Sequence, residues 1–564
     1  MADCQEPPVG ALPTPGLIKD LATDPRNRVI TNFELHSSTS TFRDNMVRVG
    51  LKETLLSLLL IGGGNCTPSD NSSLPIVDLG YVKQQATSYN QTYDFYHFRN
   101  IRYAAPPLGD LRFRKPQPPL NQSGIQNGDI PIVESACHQA SIPFAPSQFG
   151  ETFGVEDCLY LDVYAPASLR PGGNAPVLIW IYGGGYTIGS KEMWGDPARL
   201  IQSADEPMIY VSINYRLGAF GWLSPQNVTD IDANIGLHDS LAAMEWVQEH
   251  ISKFGGNKGK ITVMGESAGG GVIMHTITGY GGEGKKLPFQ QAIIQSAGFD
   301  PKRTHHHERN AQYDTFRRSA NCTTLKCLRD APTEVLLKAN DDVITEIFTG
   351  EIGSFGPAVD GDYVPDVAMR LLAQGKYHHE LKSLVASNTG FEAGFVFPTP
   401  DNVTQDTFNN SFNSFYPLAP EALKQKTLAL YPYQGPGTPE WLRASALWGD
   451  TIFNCNHVWL AKSFNMSYRY IFNIPPAIHG LDIFYTFYIG PDAAIANETA
   501  AVIHQEYITD YVTRGEPGCD GGVCFPQYGG AANAILVNLT EIEVVRDPWA
   551  TERCDLLMEL AEYS

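Results

Sequence analysis

The sequence predicts an α/β protein whose central sheet is mostly parallel and carries helices on its faces. Three observations predict it. Short unbroken apolar runs recur along the chain, the pattern of strands buried on both sides. Segments with helical spacing lie between them. One of the runs leads through a glycine-flanked turn straight into a helix, and strand, helix and strand in series favour parallel pairing.

The elements follow in order. Residues 1–45 are polar and lack an apolar core. From Met46 the character changes: Arg48 and Lys52 are basic, Leu55-Leu56-Ser57-Leu58-Leu59-Leu60-Ile61 is an apolar core, and Gly62-Gly63-Gly64 supplies small residues. That is the layout of a secretory signal starting at Met46, too short to span a bilayer. Val177 to Tyr182 is the first buried-strand run, and Met208 to Ile213 the second. Ser240 to Phe254 carries Leu241, Met244, Trp246, Val247 and Ile251 at helical spacing. Strand runs follow at Ile261–Met264, Ala292–Gln295, Ser383–Ser387 and Tyr468–Phe472. Residues from about 300 to 380 are more helical and form a cap or flank. No repeat, low-complexity tract or linker interrupts the chain, so residues 1–64 are assigned as leader and 65–564 as one domain.

A net charge of −21 argues against nucleic acid and anionic membrane as partners. No stretch is suited to an integral membrane segment, and nothing fixes an oligomeric state. Asn-x-Ser/Thr sequons occur at Asn65, Asn71, Asn90, Asn121, Asn227, Asn321, Asn402, Asn409, Asn465, Asn497 and Asn538. Ordinary Ser and Thr usage would place roughly one asparagine in eight in a sequon, so the excess points to an exported glycoprotein. Ten cysteines, several in close pairs, fit an oxidising, extracellular destination.

The chemistry centres on Gly265-Glu266-Ser267-Ala268-Gly269, between the run ending at Met264 and a helical stretch. A serine on such a turn is held in a strained conformation with its hydroxyl above the sheet edge. A hydroxyl needs a base, a group to orient that base, and donors for the oxyanion formed in acyl transfer. His479, in Pro475-Pro476-Ala477-Ile478-His479-Gly480 after a late strand, is the candidate base. Glu392, in Gly390-Phe391-Glu392-Ala393-Gly394 after the strand near Ser387, is the candidate acid. Gly183-Gly184-Gly185 after the strand ending at Tyr182, with the N–H of Ala268, is the candidate oxyanion hole.

From about Phe98 onward the chain resembles the type-B carboxylesterase family, which includes cholinesterases and fungal extracellular lipases. The likeness rests on Ile101-Arg102-Tyr103-Ala104-Ala105-Pro106-Pro107, Glu156-Asp157-Cys158-Leu159-Tyr160-Leu161, Trp180 to Gly185, Asn214-Tyr215-Arg216-Leu217-Gly218, Asn234 to Asp239, the serine turn, Gln295-Ser296-Ala297-Gly298 and His479-Gly480. The resemblance implies an α/β-hydrolase fold with Ser267 as nucleophile, His479 as base and Glu392 as acid. It implies Gly184, Gly185 and Ala268 as oxyanion donors. Departures are Phe391 where a polar residue is usual, Ala393 where glycine is usual, and Asn257 where aspartate is common. The resemblance also implies the disulfides Cys137–Cys158, Cys322–Cys327 and Cys455–Cys554, with Cys519–Cys524 as a local pair.

The segment between Cys137 and Cys158 is short for the lid of a lipase and contains no tryptophan for gripping a quaternary ammonium. It does offer Phe144, Phe149 and Phe153 to an apolar substrate. The expected activity is therefore secreted hydrolysis of apolar or moderately sized carboxylic esters, a small-molecule substrate class, through an acyl-enzyme. No cofactor or metal is implied. The rival readings are an interfacial triacylglycerol lipase and a non-catalytic binding or adhesion relative. Three other signals are discounted. Gly279 to Lys286 imitates a phosphate loop without its Ser/Thr. His305-His306-His307 lacks a metal-binding spacing, and Asp360-Gly361-Asp362 lacks the later glutamate of a calcium loop.

Overall fold

Ile179, Val211, Val263, Ile293 and Ala386 lie on neighbouring strands and are almost wholly shielded from solvent. Residues covered on both faces carry no polar alternation, which is why these segments read as unbroken apolar runs. The computed structural model describes residues 74–139, 154–226, 228–301, 303, 306–349, 354–397, 400–435, 437–519 and 522–564. The leader assignment on residues 1–64 and the phenylalanines at 144, 149 and 153 lie outside them.

The strands of the main sheet are β1 (Ser88–Asn90), β2 (Phe95–Arg102), β3 (Tyr160–Pro166), β4 (Ala175–Ile181), β5 (Ile209–Ile213), β6 (Gly256–Glu266), β7 (Gln291–Gln295), β8 (Ser383–Thr389), β9 (Ser467–Phe472), β10 (Asn533–Val537) and β11 (Ile542–Arg546). Their spatial order is β11-β10-β9-β8-β7-β6-β4-β5-β3-β2-β1. From β5 across to β10 all neighbours are parallel, and antiparallel strands close both edges. The six strands expected from the sequence are β4 to β9. The other five, the parallel β10 and the antiparallel β1, β2, β3 and β11, are not among the runs read from the sequence. β11, for example, has only partly covered or exposed residues and offers no apolar run. A small second sheet joins Ile76–Asp78, Lys83–Gln85 and Ile125–Gln126.

Helix α1 (Ile235–His250) starts earlier than the periodicity from Ser240 suggested. The cause is tertiary. Asn234 turns left-handed, and its side chain pairs with both the N–H and the carbonyl of Ala358. Gly236 then brings the first turn onto Trp222, where a Cβ would come within 2.4 Å of the indole. Between β7 and β8 the chain is helical at His306–Ser319, Leu325–Asp330, Thr333–Thr349 and Ala368–Ala373, as the cap or flank reading expected. Asp360 accepts from the N–H groups of Asp362 and Val364, so the supposed calcium loop is a self-satisfied turn. Among the described residues no helix is long and apolar enough to cross a membrane. Cys137–Cys158, Cys322–Cys327, Cys455–Cys554 and Cys519–Cys524 are joined by disulfides.

The register sets the site. Gly265 stands beside Ile181 of β4, and Glu266 beside Gln295 of β7. Ser267 therefore emerges at the C-terminal edge between the ends of β4 and β7, the crevice where parallel sheets bind ligands.

Candidate active site

Ser267 has φ 56° and ψ −122°, a conformation that costs a side-chain-bearing residue of order 1–3 kcal/mol. Its surroundings hold it there. Its N–H donates to the carbonyl of Gln295 at 2.9 Å, and its own carbonyl accepts from Gly271 and Gly298, each at 2.9 Å. Helix α2 (Ala268–Ile277) begins at the next residue. The flanking glycines answer a steric demand: a Cβ on Gly269 would lie 2.0 Å from the carbonyl oxygen of Ile181.

The loops after β8 and β9 bring the base and the acid to this turn. Phe391 forms a parallel bridge with Ile478, and its N–H donates to Ala477 at 2.8 Å. The residues just before Glu392 and His479 are thus fixed side by side. Nδ1 of His479 lies 2.6 Å from Oε2 of Glu392, and Nε2 lies 2.8 Å from Oγ of Ser267. With the ring proton on Nδ1 directed at the carboxylate, Nε2 is free to accept from the hydroxyl. Phe391, one of the departures from the family pattern, packs edge-on against Trp441 at 5.1 Å. Its ring anchors the acid loop where a polar side chain would not.

The triglycine sits against the serine. A Cβ on Gly183 would be 2.7 Å from Cβ of Ser267. Gly184 and Gly185 adopt φ 120° and 60°, which glycine reaches without penalty. Ala268 is the first residue of α2, so its N–H is one of the donors left over at a helix N-terminus. Gly183 thus packs on the serine, Gly184 and Gly185 follow it in the chain, and Ala268 comes directly after the serine.

Four side chains that the sequence did not single out shape the electrostatics. Ser296 is buried and donates to Oε1 of Glu392 at 2.6 Å, and the N–H of Thr389 donates to the same oxygen at 2.6 Å. Glu266 places its Oε1 3.3 Å from Nε2 of His479, and burial pushes its carboxyl up to about 8. Asp482 is also buried and is pushed up to about 7 by burial and by the charge of Glu392. Burial alone would lower the pKa of His479, but the nearby carboxylates of Glu266 and Glu392 outweigh it and raise it to about 9. The site favours an imidazolium, the species His479 becomes when it takes the serine proton. Phe453 lies in a π-helical turn and packs its ring 4.4 Å from that of His479. Apart from the bond between Thr389 and Glu392, three positions apart, these contacts join residues far apart in the chain and have no sequence signature. Among the described residues no His/Cys/Asp/Glu group could hold a metal ion.

Residues 75–557 match the carboxylesterase family. The carboxylesterase patB of Penicillium expansum is 35% identical over 540 residues, covering 86% of this chain and 95% of its own. Lipase 1 of Geotrichum candidum is 30% identical over 466 residues, covering 70% of this chain and 81% of its own. The crystal structure of Aspergillus niger EstA superposes with a TM-score of 0.75 at 23% identity, covering 87% of this chain and 99% of that one, a likeness of fold.

Proposed function

The chain belongs to the carboxylesterase family and is a carboxylic-ester hydrolase, and on that premise we propose that it is a secreted serine esterase working through an acyl-enzyme. The observation that carries the mechanism is the unbroken line from Oγ of Ser267 through both ring nitrogens of His479 to Glu392. Ser267 attacks the ester carbonyl while His479 takes its proton and Glu392 stabilises the cation. The N–H groups of Gly184, Gly185 and Ala268 take the negative charge on the carbonyl oxygen. The imidazolium returns its proton to the departing alcohol. Water, deprotonated by the same histidine, then releases the acid.

The substrates are apolar or moderately sized soluble esters, a reading supported by the short span between Cys137 and Cys158. The kinship with Geotrichum lipases favours a second reading, action on emulsified triglyceride. Secretion is supported by the sequons. The eight that fall within the described residues, Asn90, Asn121, Asn321, Asn402, Asn409, Asn465, Asn497 and Asn538, are all at least partly exposed. Hydrolysis of p-nitrophenyl butyrate by protein recovered from culture medium, with triglyceride emulsion left intact, is the expected result. Preference for the emulsion would establish the lipase reading. A loss of less than about tenfold in Ser267→Ala, against the expected loss of at least about 10³-fold, would overturn the mechanism.

A further inference from the structure

Gln139 lies two residues beyond Cys137, which is bonded to Cys158. It is buried, with 5% of its surface exposed. Its side-chain amide pairs with a single residue through both of its polar atoms. The N–H of Gly189 donates to Oε1 at 2.9 Å, and Nε2 donates to the carbonyl of Gly189 at 2.7 Å. A two-point clamp of this kind fixes both the position and the orientation of a peptide unit, which a single hydrogen bond does not.

Gly189 belongs to the turn that carries the triglycine. It adopts φ 122°, and a Cβ there would lie 2.3 Å from the ring of Tyr182 and 2.6 Å from the carbonyl oxygen of Gly183. The preceding residue is equally close: a Cβ on Gly184 would lie 2.2 Å from the carbonyl oxygen of Ile188. The N–H groups of Thr187 and Ile188 both donate to the carbonyl of Gly184, at 3.1 and 3.0 Å. Residues 183–184 and 188–189 are therefore in backbone-to-backbone contact, and a shift of Gly189 must move Gly184. The other end of the linkage is equally firm. Cys137 is bonded to Cys158, forms a bridge with Val155, and leaves no room for a Cβ on Gly154.

We propose that Gln139 is a positioning residue for the oxyanion hole, holding the N–H groups of Gly184 and Gly185 in place through Gly189. It touches neither substrate nor reacting atoms. It ties the backbone beside the Cys137–Cys158 disulfide to the donors that stabilise the transition state. Donors displaced by a fraction of an ångström bind the ground-state ester nearly as well but lose the developing oxyanion, so the loss falls on kcat.

The inference rests on the oxyanion assignment above, and the test separates the two. Gln139→Met keeps the volume and removes both hydrogen bonds. Gln139→Glu keeps an acceptor for Gly189 and is read in its place if the Met variant does not fold. For each, kcat and KM on p-nitrophenyl butyrate are measured beside the Kd of an alkyl trifluoromethyl ketone, which adds to the serine and places an oxyanion in the hole. The expected result is a kcat lower by roughly 10- to 100-fold, a KM within about twofold of wild type, and a ketone affinity weakened in parallel with kcat. Unchanged kcat and ketone affinity, with only a lower melting temperature, would reduce Gln139 to a structural role and overturn the proposal. Failure of the wild-type enzyme to bind the ketone more tightly than the matching hydrocarbon ketone would instead overturn the oxyanion assignment itself.

Discussion

Replacing Glu266 by glutamine removes a buried carboxylate from beside the reacting nitrogen while leaving the shape of the side chain intact. Its Oε1 is 3.3 Å from Nε2 of His479, and at an effective dielectric of about 20 two unit charges at that distance attract by about 5 kcal/mol, nearly four pKa units. The full amount is not realised, because burial pushes the Glu266 carboxyl up to about 8, so near neutral pH it is anionic only part of the time. Glu266 and His479 therefore share protons, and part of the singly protonated population holds its proton on the histidine, where it blocks catalysis. The sign follows directly. His479 must be neutral to accept the serine proton, and an anion beside it favours the cation. Glu266→Gln removes that anion, lowers the pKa of His479 from its raised value of about 9, and makes the base available at lower pH. The acid limb of kcat/KM should move down by at least about one unit. The same carboxylate stabilises the imidazolium formed on the way to the tetrahedral intermediate, so the plateau should fall by roughly tenfold. The assay is kcat/KM for a nitrophenyl ester from pH 4.5 to 10 in wild type and variant. An acid limb that stays in place or moves up would refute the electrostatic reasoning.

Other consequences are open to measurement. Ser296→Ala removes a charge-assisted donor to Glu392 at 2.6 Å and should lower kcat by roughly tenfold with little change in KM. Paired serines at Cys455 and Cys554 open a disulfide spanning 99 residues and should cost up to about 5 kcal/mol in urea unfolding. Arg469→Met strands Asp547 in the core, where the guanidinium now lies 2.6 Å from its carboxylate with neither side chain exposed, and should cost about 3–5 kcal/mol.

Much of this protein is legible in its sequence, for reasons that can be named. Strands β4 to β9 are covered on both faces, so Val177 to Ile181 or Ala292 to Ile294 show no polar interruption. The outermost strands, β1 and β11, are short and partly exposed, and β1 contains Ser88 and Asn90, which carry no strand signature. The serine turn is written locally as a glycine-flanked motif, although the contacts that demand its glycines come from neighbouring strands: Gly269 meets Ile181 and Gly270 meets Gln295. His479 and Glu392 were found by their order along the chain and their place after strands, because a parallel sheet collects strand ends at one edge. Ser296 lies within a recognised segment, yet its bond to Glu392 joins residues 96 positions apart. Glu266 sits inside the most informative pentapeptide of the chain, and its influence on His479 is visible only once the ring has a position. The clamp of Gln139 on Gly189 spans 50 residues and is equally silent in sequence.

In the proposed mechanism one hydroxyl, on Ser267, performs the covalent step. Its most direct test is titration of the active enzyme with a fluorophosphonate ester, followed by proteolysis and mass mapping. One adduct per chain is expected, on the peptide containing Ser267, formed in step with the loss of esterase activity and absent from the His479→Ala protein. Full inactivation with the adduct on another residue, or full activity with Ser267 labelled, would contradict it.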